Sequence, residues 1–355
     1  MEPKESALSV QPGVEVPSPP RIRRKRRRLS LQEYVDGVLG GDRTVLAQAI
    51  TVIESLRSAD TALGQDILEA CLPHTGRSIR VGITGPPGAG KSTLIEALGT
   101  YLTKERGQKV AVLAVDPTSK LSHGSILGDK TRMEALATDP DAFIRPSPSG
   151  GSLGGVARRT RETLLLCEAA GYGNVIVETV GVGQSETTVR AMVDTFLLLG
   201  LPGAGDELQG IKRGIIELTD VIAINKADGP DRARAELARH QFASALHLFP
   251  PTVTGWTPRV VTCSARTRDG VPRLWSVVEE HHQHLRNSGM LEAMRREQVK
   301  QWMQDMLQHE MAARFAKHPV VRERLPGIER DVLEGRLSSF RAVQMLLDLY
   351  YEGKS

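Results

Sequence analysis

Cysteines, aromatic residues and long hydrophobic runs are all scarce in this 355-residue chain. The three cysteines, Cys71, Cys167 and Cys263, are widely spaced and odd in number. They exclude a disulfide framework and favour a reducing compartment. No apolar run approaches the ~20 residues that cross a bilayer, and the first residues contain no apolar signal-peptide core. We therefore expect a cytoplasmic protein without a membrane partner.

Excess charge is also small, and much of it lies in one place. The net charge is +4, and residues 21–28 read RIRRKRRR. Because such a block repels itself, residues 1–29 are predicted to be a disordered basic tail. A nucleic-acid partner is the less favoured interpretation of this tail. Glu2, Glu5 and Glu15 argue against a mitochondrial presequence, since such peptides are poor in acidic residues.

The segment before the central region has helical periodicity. Apolar residues recur at steps of three and four from residue 30, which predicts an N-terminal helical extension over 30–77. Ser30 with Glu33 has the spacing of a capping box. Gly40-Gly41, followed by Asp42, is expected to separate two helices.

A second helical segment follows the central region. Residues 279–355 carry an apolar stripe that includes Val299, Trp302 and Met303, and Pro319 and Pro326 are expected to interrupt it. This C-terminal arm packs either on the chain's own globular domain or on a second subunit, and the pattern leaves both open.

Short β-branched apolar runs alternate with amphipathic stretches in the central region, residues 78–278. Runs that are apolar on both faces indicate an α/β fold, in which a mainly parallel sheet is flanked by helices. Ligands of such sheets bind at the carboxyl ends of the strands. The predicted strands are Ile79–Thr84, Val110–Val115, Val175–Val177, Phe196–Leu201, Val221–Ile224 and Val260–Cys263.

A complete phosphate-binding motif follows the first of these runs. GPPGAGKS at 85–92 matches GxxxxGK[ST], after an apolar strand and before an amphipathic helix. Its glycines allow backbone N–H groups to surround the β-phosphate, and the helix N-terminus adds positive potential. Lys91 is expected between the β- and γ-phosphates, and the Ser92 hydroxyl is expected to ligate Mg²⁺.

The tetrapeptide NKAD, Asn225-Lys226-Ala227-Asp228, follows a later strand. An aspartate there accepts hydrogen bonds from N1–H and the 2-amino group of guanine, donors that adenine does not offer at those places. Ser264-Ala265-Arg266, after the next strand, lies where a loop would close over the base. Together the two motifs predict a Mg²⁺-dependent GTPase with GTP as substrate and GDP as product.

Three acidic residues stand between these motifs, namely Asp116, Asp129 and Glu178. Carboxylates beside Mg²⁺ usually hold its water ligands, so all three are candidates for the metal site. Glu178 begins the sequence ETVG, and Val182–Glu186 beyond it is a candidate switch segment. Within that segment Gln184 is placed to orient the attacking water.

Two further features leave alternatives open. The glycine-rich loop at 202–214 is either a mobile lid, with Gln209 and Lys212 contacting nucleotide or partner, or a plain connector. His281, His282 and His284 form either a solvated helix face or a metal-binding cluster. The second interpretation would make the chain a GTPase that delivers a metal to another enzyme.

Taken in order, the longer motifs resemble those of the MeaB/ArgK family. The segments are GPPGAGKST, LAVDPTS, GSILGDKTRM, IRPSPSGGSLGG, VIVETVGVGQSE, GAGDELQGIKRGI and NKAD, and the resemblance runs from about residue 30 to the C-terminus. Members of this family are G-protein chaperones of adenosylcobalamin-dependent methylmalonyl-CoA mutase and its relatives.

The resemblance implies the roles of particular residues. It places Gly85, Pro86, Pro87, Gly88, Ala89, Gly90, Lys91, Ser92 and Thr93 on the phosphates, Asn225, Lys226 and Asp228 at the guanine, and Ser264, Ala265 and Arg266 beside the base. Asp116, Asp129 and Glu178 fall at the family's acidic Mg²⁺ positions, with Lys91, Asp129, Glu178 and Gln184 as candidate catalytic residues. Gln209 and Lys212 fall in a segment through which mutase binding stimulates hydrolysis. The arm then forms a homodimer, and the GTPase gates adenosylcobalamin loading and protects or reactivates the mutase.

Overall fold

A parallel sheet forms the centre of the molecule, as the sequence predicts. The computed structural model describes residues 28–55, 57–115, 133–146, 153–179, 185–203, 213–247, 249 and 252–352. Within them the sheet has the order β3-β2-β4-β1-β5-β6-β7, and every neighbouring pair is parallel. The strands are β1 (Ile79–Thr84), β2 (Val110–Val115), β3 (Ala142–Arg145), β4 (Asn174–Thr179), β5 (Thr195–Gly200), β6 (Val221–Ile224) and β7 (Arg259–Thr262).

Helices precede, connect and follow these strands. The N-terminal ones are α1 (Leu31–Leu39), α2 (Arg43–Glu54) and α3 (Ser58–Cys71). Those between strands are α4 (Lys91–Thr100, continued by a π-helical turn at Tyr101–Glu105), α5 (Glu134–Thr138), α6 (Leu153–Ala169), α7 (Ser185–Arg190), α8 (Arg213–Glu217) and α9 (Arg232–Leu246). The C-terminal ones are α10 (Val271–Asn287), α11 (Met290–Lys317), α12 (Pro319–Leu333) and α13 (Ser339–Glu352).

Helices cover the sheet on both faces, which is why most of its strands are buried along their whole length. One core joins the N-terminal helices to α6 and α9 through side chains such as Leu46, Ile50 and Phe242. The other joins α4 to α10 through Leu98 and Trp275. The N-terminal helices therefore belong to the main core of the fold.

The N-terminal helix signals act as the sequence predicts. Ser30 accepts a hydrogen bond from the Glu33 amide while the Glu33 carboxylate accepts one from the Ser30 amide, which is a capping box. Asp42 caps α2 by accepting from the amides of Thr44 and Val45. Arg28, the one residue of the basic run 21–28 that the structure describes, forms an ion pair with Asp60 at 2.7 Å, and the part of the predicted tail before it lies outside the described residues.

Two local predictions differ from the structure. β3 was not predicted from the sequence, yet it pairs with β2 at the edge of the sheet. Pro319 does begin a new helix, whereas Pro326 lies inside α12 and does not end it, so that prediction is wrong. Among the described residues, no helix is both long and apolar enough to span a bilayer.

Candidate functional site

The predicted motifs meet at one end of the sheet, because the carboxyl ends of all its parallel strands lie there. β1 leads into the loop at 85–90, β4 ends in Glu178-Thr179, and β6 leads into NKAD. β7 leads into Ser264-Ala265-Arg266. The structure therefore brings together side chains that are up to 180 residues apart in sequence, as the motif order predicts.

The loop at 85–90 depends on left-handed backbone conformations. Gly88 has φ +77° and Gly90 has φ +88°, values that favour glycine. A Cβ on Gly90 would lie 2.7 Å from the Nδ2 atom of Asn225. Glycine at this position thus lets the loop approach NKAD closely, and α4 begins directly after it.

Lys91 turns its side chain back into this loop. Its ammonium group donates hydrogen bonds to the carbonyl oxygens of Gly85 at 2.8 Å and Pro86 at 3.4 Å. Burial lowers the pKa of Lys91, while the carboxylates of Glu178 and Glu186 act in the opposite direction. A partly buried ammonium group that donates to two carbonyl oxygens is suited to meeting the negative charge of a phosphate.

Two oxygen ligands suited to a hard cation lie beside Lys91. The Ser92 hydroxyl donates to the Glu178 carboxylate at 3.2 Å, and Glu178 is buried at the end of β4. Hydroxyl and carboxylate oxygens are the ligand types that Mg²⁺ takes in nucleotide sites. This donor set therefore fits the expected metal.

Asn225 connects the phosphate loop to the loop after β7. Its side-chain amide donates to the Ala89 carbonyl at 2.8 Å and accepts from the Ala265 amide at 3.0 Å. Asn225 is itself buried, so these bonds are shielded from water. Its role is to hold the two loops at a fixed separation.

Asp228 is held by the same loop. Its Oδ1 atom accepts from the Ser264 hydroxyl at 2.8 Å, and its Oδ2 atom lies 3.0 Å from the Arg266 guanidinium. Lys226, two residues earlier, has a positive φ of 61°, which marks a tight turn at the end of β6. Asp228 and the SAR loop thus form one bonded unit.

Several predicted residues lie outside the described part of the chain, namely Asp116, Asp129, Gln184, Gln209 and Lys212. The structure also adds residues that the sequence did not single out. The Thr179 hydroxyl donates to the Thr84 hydroxyl at 2.9 Å, linking β4 to β1 beside the site. Glu186 in α7 is buried and acts electrostatically on Lys91, and its place in the motif VIVETVGVGQSE was the available signal.

The three histidines of α10 contact different groups. His281 is buried, with its Nδ1 atom 2.8 Å from the Thr195 hydroxyl, whereas the Nε2 atom of His284 lies 2.8 Å from the Thr254 carbonyl oxygen. His282 lies near Asp194. In the part of the chain that the structure describes, no group of three or more His, Cys, Asp or Glu residues is arranged to hold a metal ion.

Known proteins resemble the chain over most of its length. The family model described as methylmalonyl-CoA mutase-associated GTPase MeaB matches residues 46–320. GTPase ArgK of Escherichia coli is 49% identical over 79% of this chain and 85% of its own. The mitochondrial methylmalonic aciduria type A homolog of Mus musculus is 45% identical over 90% of this chain and 80% of its own.

A solved structure agrees with these relatives. A crystal structure described as LAO/AO transport system kinase superposes with a TM-score of 0.74 and 38% identity, covering 92% of this chain and all of that one. The fold, the motifs and the relatives lead to the same assignment. The chain belongs to the MeaB family of methylmalonyl-CoA mutase-associated GTPases.

Proposed function

We propose that this GTPase binds GTP with Mg²⁺ and acts as a chaperone of a cobalamin-dependent acyl-CoA mutase of the methylmalonyl-CoA mutase type. Its nucleotide state would gate adenosylcobalamin loading and protect or reactivate the mutase. One observation above all supports nucleotide binding: Asn225 bonds the phosphate loop to the loop beside Asp228. The description of the matching family model supports the link to a mutase.

Different residues among those described would bind the phosphates, the guanine and Mg²⁺. Gly85 to Thr93 would surround the phosphates, Lys91 would leave its carbonyl partners for the β- and γ-phosphates, and Asp228 would read the guanine. Ser92 and Glu178 would hold Mg²⁺, which neutralises phosphate charge when bound. Water attacks the γ-phosphorus as the bond to the bridging oxygen breaks, giving GDP and phosphate. The chain contributes chiefly by positioning these groups and balancing their charge.

The remaining roles are proposed from the family. Asp116 and Asp129 would complete the acidic Mg²⁺ positions, and Gln184 would orient the attacking water. Gln209 and Lys212 would contact the mutase. The protein would act in the cytoplasm, which agrees with three cysteines that are all unpaired and buried.

A homodimer is part of the same proposal. Helix α11 exposes four apolar side chains at four-residue intervals, Val299, Met303, Leu307 and Met311, each more than half accessible to solvent. Such a row lies on one face of a helix, and a second copy of the chain would cover it. Residues 279–355 would then be the dimerisation arm.

The first experiment measures GTP hydrolysis by the purified protein, alone and with a cobalamin-dependent acyl-CoA mutase from the same organism. We expect the mutase to raise the rate by roughly tenfold or more, since partners of GTPases commonly accelerate a slow intrinsic reaction. Lys91→Ala should abolish both rates. Lys300→Ala, which removes an exposed lysine of α11, is the matched control and should retain the intrinsic rate.

Each outcome bears on a different part of the proposal. Hydrolysis that no available cobalamin-dependent mutase accelerates would contradict the chaperone function and leave the GTPase in place. Hydrolysis that persists in Lys91→Ala would contradict the assigned phosphate site.

A further inference from the structure

The carboxylate of Asp228 is contacted by two side chains of very different character. Ser264, which donates to Oδ1 at 2.8 Å, is buried. Arg266, which lies 3.0 Å from Oδ2, keeps 83% of its side chain exposed. One donor is therefore fixed in the protein, and the other is a long, charged side chain at the rim of the site.

The bonding capacity of the carboxylate sets what else can bind. An ionised carboxylate accepts about four hydrogen bonds, two at each oxygen. Ser264 occupies one position on Oδ1 and the Arg266 guanidinium lies beside Oδ2, so at least one acceptor position remains on each oxygen. Guanine offers two donors on the corresponding edge, N1–H and the 2-amino group, and the remaining capacity of Asp228 matches both.

The same count shows what happens when the 2-amino group is missing. Hypoxanthine keeps N1–H but has only hydrogen at position 2, so one carboxylate acceptor loses its donor. An acceptor left without a donor in a site closed by a base is costly. The Arg266 guanidinium has five N–H donors and lies within reach of Oδ2, so it can supply the missing hydrogen bond.

We infer that Arg266 is a specificity-determining residue, which sets how strongly nucleotide binding depends on the 2-amino group of guanine. The inference rests on the proposed guanine-binding role of Asp228. With Arg266 present, the affinity that is lost with the 2-amino group is partly restored. Without Arg266 the site depends on that group more strongly.

The loop that carries Arg266 has its own supports. The Ser264 amide donates to the Asp269 carbonyl at 2.9 Å, and the Ala265 amide donates to Asn225 at 3.0 Å. The Thr267 amide donates to the Ser264 hydroxyl at 3.2 Å. None of these bonds uses the Arg266 side chain, so its removal leaves the backbone that faces the base in place.

The test compares two nucleotides that differ only at position 2. Dissociation constants for GDP and for inosine diphosphate are measured by titration calorimetry in the presence of Mg²⁺, with the full chain and with Arg266→Ala and Arg266→Lys. We expect the ratio of the dissociation constant for inosine diphosphate to that for GDP to rise about fivefold in Arg266→Ala, from the loss of one hydrogen bond made by an exposed side chain in competition with water. Arg266→Lys should lie between the two, because an ammonium group can donate to the same oxygen.

Arg273→Ala is the matched control. It removes an exposed arginine paired with Glu280 at 2.9 Å, and it changes the net charge equally. It should leave the ratio unchanged. The inference would be overturned if the ratio in Arg266→Ala stayed within about twofold of that of the unaltered chain, or if GDP and inosine diphosphate were weakened equally. Ordering of the loop or general charge attraction would affect the two nucleotides alike.

The result also separates this inference from the proposed function. Tight GDP binding with an unchanged ratio removes only the role of Arg266. Absence of GDP binding by the unaltered chain removes the proposed guanine site and this inference with it. Circular dichroism of each variant establishes that the chain remains folded, and Arg266→Lys supplies a second, conservative substitution.

Discussion

At the scale of single residues, the close approach of Gly90 to Asn225 is the most restrictive feature of the site. A Cβ at residue 90 would meet the Asn225 amide nitrogen at 2.7 Å, and φ is +88° there. Gly90→Ala therefore combines backbone strain with a collision, and the bond from Asn225 to Ala89 should break. We expect affinity for GDP to fall by about a hundredfold or more, since misplacement of binding groups by about 1 Å has effects of this size.

Gly107→Ala introduces backbone strain without a steric collision, so it serves as the control for Gly90→Ala. Gly107 has φ +60°, yet a Cβ there would have no atom within 4 Å. This variant should lose about 1 kcal/mol of stability from backbone strain while it keeps its affinity for GDP. Equal affinities for GDP in the two variants, measured by titration calorimetry, would contradict the role given to the contact between Gly90 and Asn225.

Residue chemistry also shows what the sequence could and could not predict at the site. The glycines, Lys91 and Asp228 were predictable because their side-chain chemistry alone suits phosphate or guanine. The ion pair between Asp228 and Arg266 was not, because it joins residues 38 positions apart whose side chains meet only after β6 and β7 pair. Contacts of this kind depend on register and not on motif.

At the scale of elements, helix α10 places a histidine against the buried start of β5. Burial, with a smaller contribution from nearby Arg190, lowers the pKa of His281 to about 3. The unfolded chain binds that proton near pH 6.5, whereas the folded chain does not. The contribution of His281 to stability is therefore present above about pH 6.5 and is lost as the pH falls toward 3.

His281→Gln should remove this dependence. The free-energy difference in unfolding between the unaltered chain and the variant should shrink by about 2 kcal/mol between about pH 7 and 4.5. Burial raises the pKa of Asp220, whose Oδ1 atom is 3.6 Å from His281, to about 6. Asp220 changes the stability in the opposite sense, because the unfolded chain releases this proton near pH 4 whereas the folded chain holds it to about pH 6. In His281→Gln the pH dependence of the free energy of unfolding should therefore show the contribution of Asp220 without that of His281.

Urea denaturation followed by circular dichroism at several pH values gives these free energies. His240→Gln, which replaces an exposed histidine of α9, is the control and should follow the unaltered chain. A free-energy difference between His281→Gln and the unaltered chain that stays constant with pH would contradict the assigned neutral state of the buried histidine.

Elements also show why fold prediction from the sequence succeeded in the centre of the sheet and failed at its edge. β2, β6 and the centre of β4, Val175–Val177, are apolar because helices cover both faces of the sheet, and this pattern is visible in the sequence. β3 has four residues and, among the strands that the structure describes, only β2 as a neighbour, so it lacks a comparable pattern. Pro326 was misread because proline usually breaks a helix interior, yet α12 continues through it at the eighth of its fifteen residues.

At the scale of the whole molecule, helix α11 is fixed to the turn that joins α7 to β5. Arg295 forms a two-pronged ion pair with the buried Asp194, at 2.8 and 2.6 Å, and Gln298 donates to the Val193 carbonyl at 2.8 Å. Because α7 begins at Ser185, inside the predicted switch segment Val182–Glu186, this turn follows directly on the helix that the segment leads into. A change in nucleotide state that moves α7 would therefore also displace the C-terminal arm.

The two apolar faces of α11 have different surroundings. Trp302 and Met306 line a cavity of about 1050 Å³ that also contacts Met192 just after α7. The neighbouring face carries Met303 and Met311, with accessible fractions of 61% and 60%. The sequence shows a single apolar stripe here, and the structure divides it into a face toward the chain's own domain and a face toward solvent.

The exposed face leads to the prediction for the assembly. If a second copy covers it, Met303→Glu with Met311→Glu should place four charges in the interface of each dimer and convert the protein to a monomer. Burying unpaired charges costs several kcal/mol, which raises the dissociation constant by about a thousandfold or more. Gln304→Glu with Gln308→Glu adds the same charges to the adjacent polar face of α11 and should leave the dimer intact. Light scattering coupled to size-exclusion chromatography measures the mass of each. An unaltered chain that remains monomeric at high concentration, or a methionine variant that remains dimeric, would contradict dimerisation through this face.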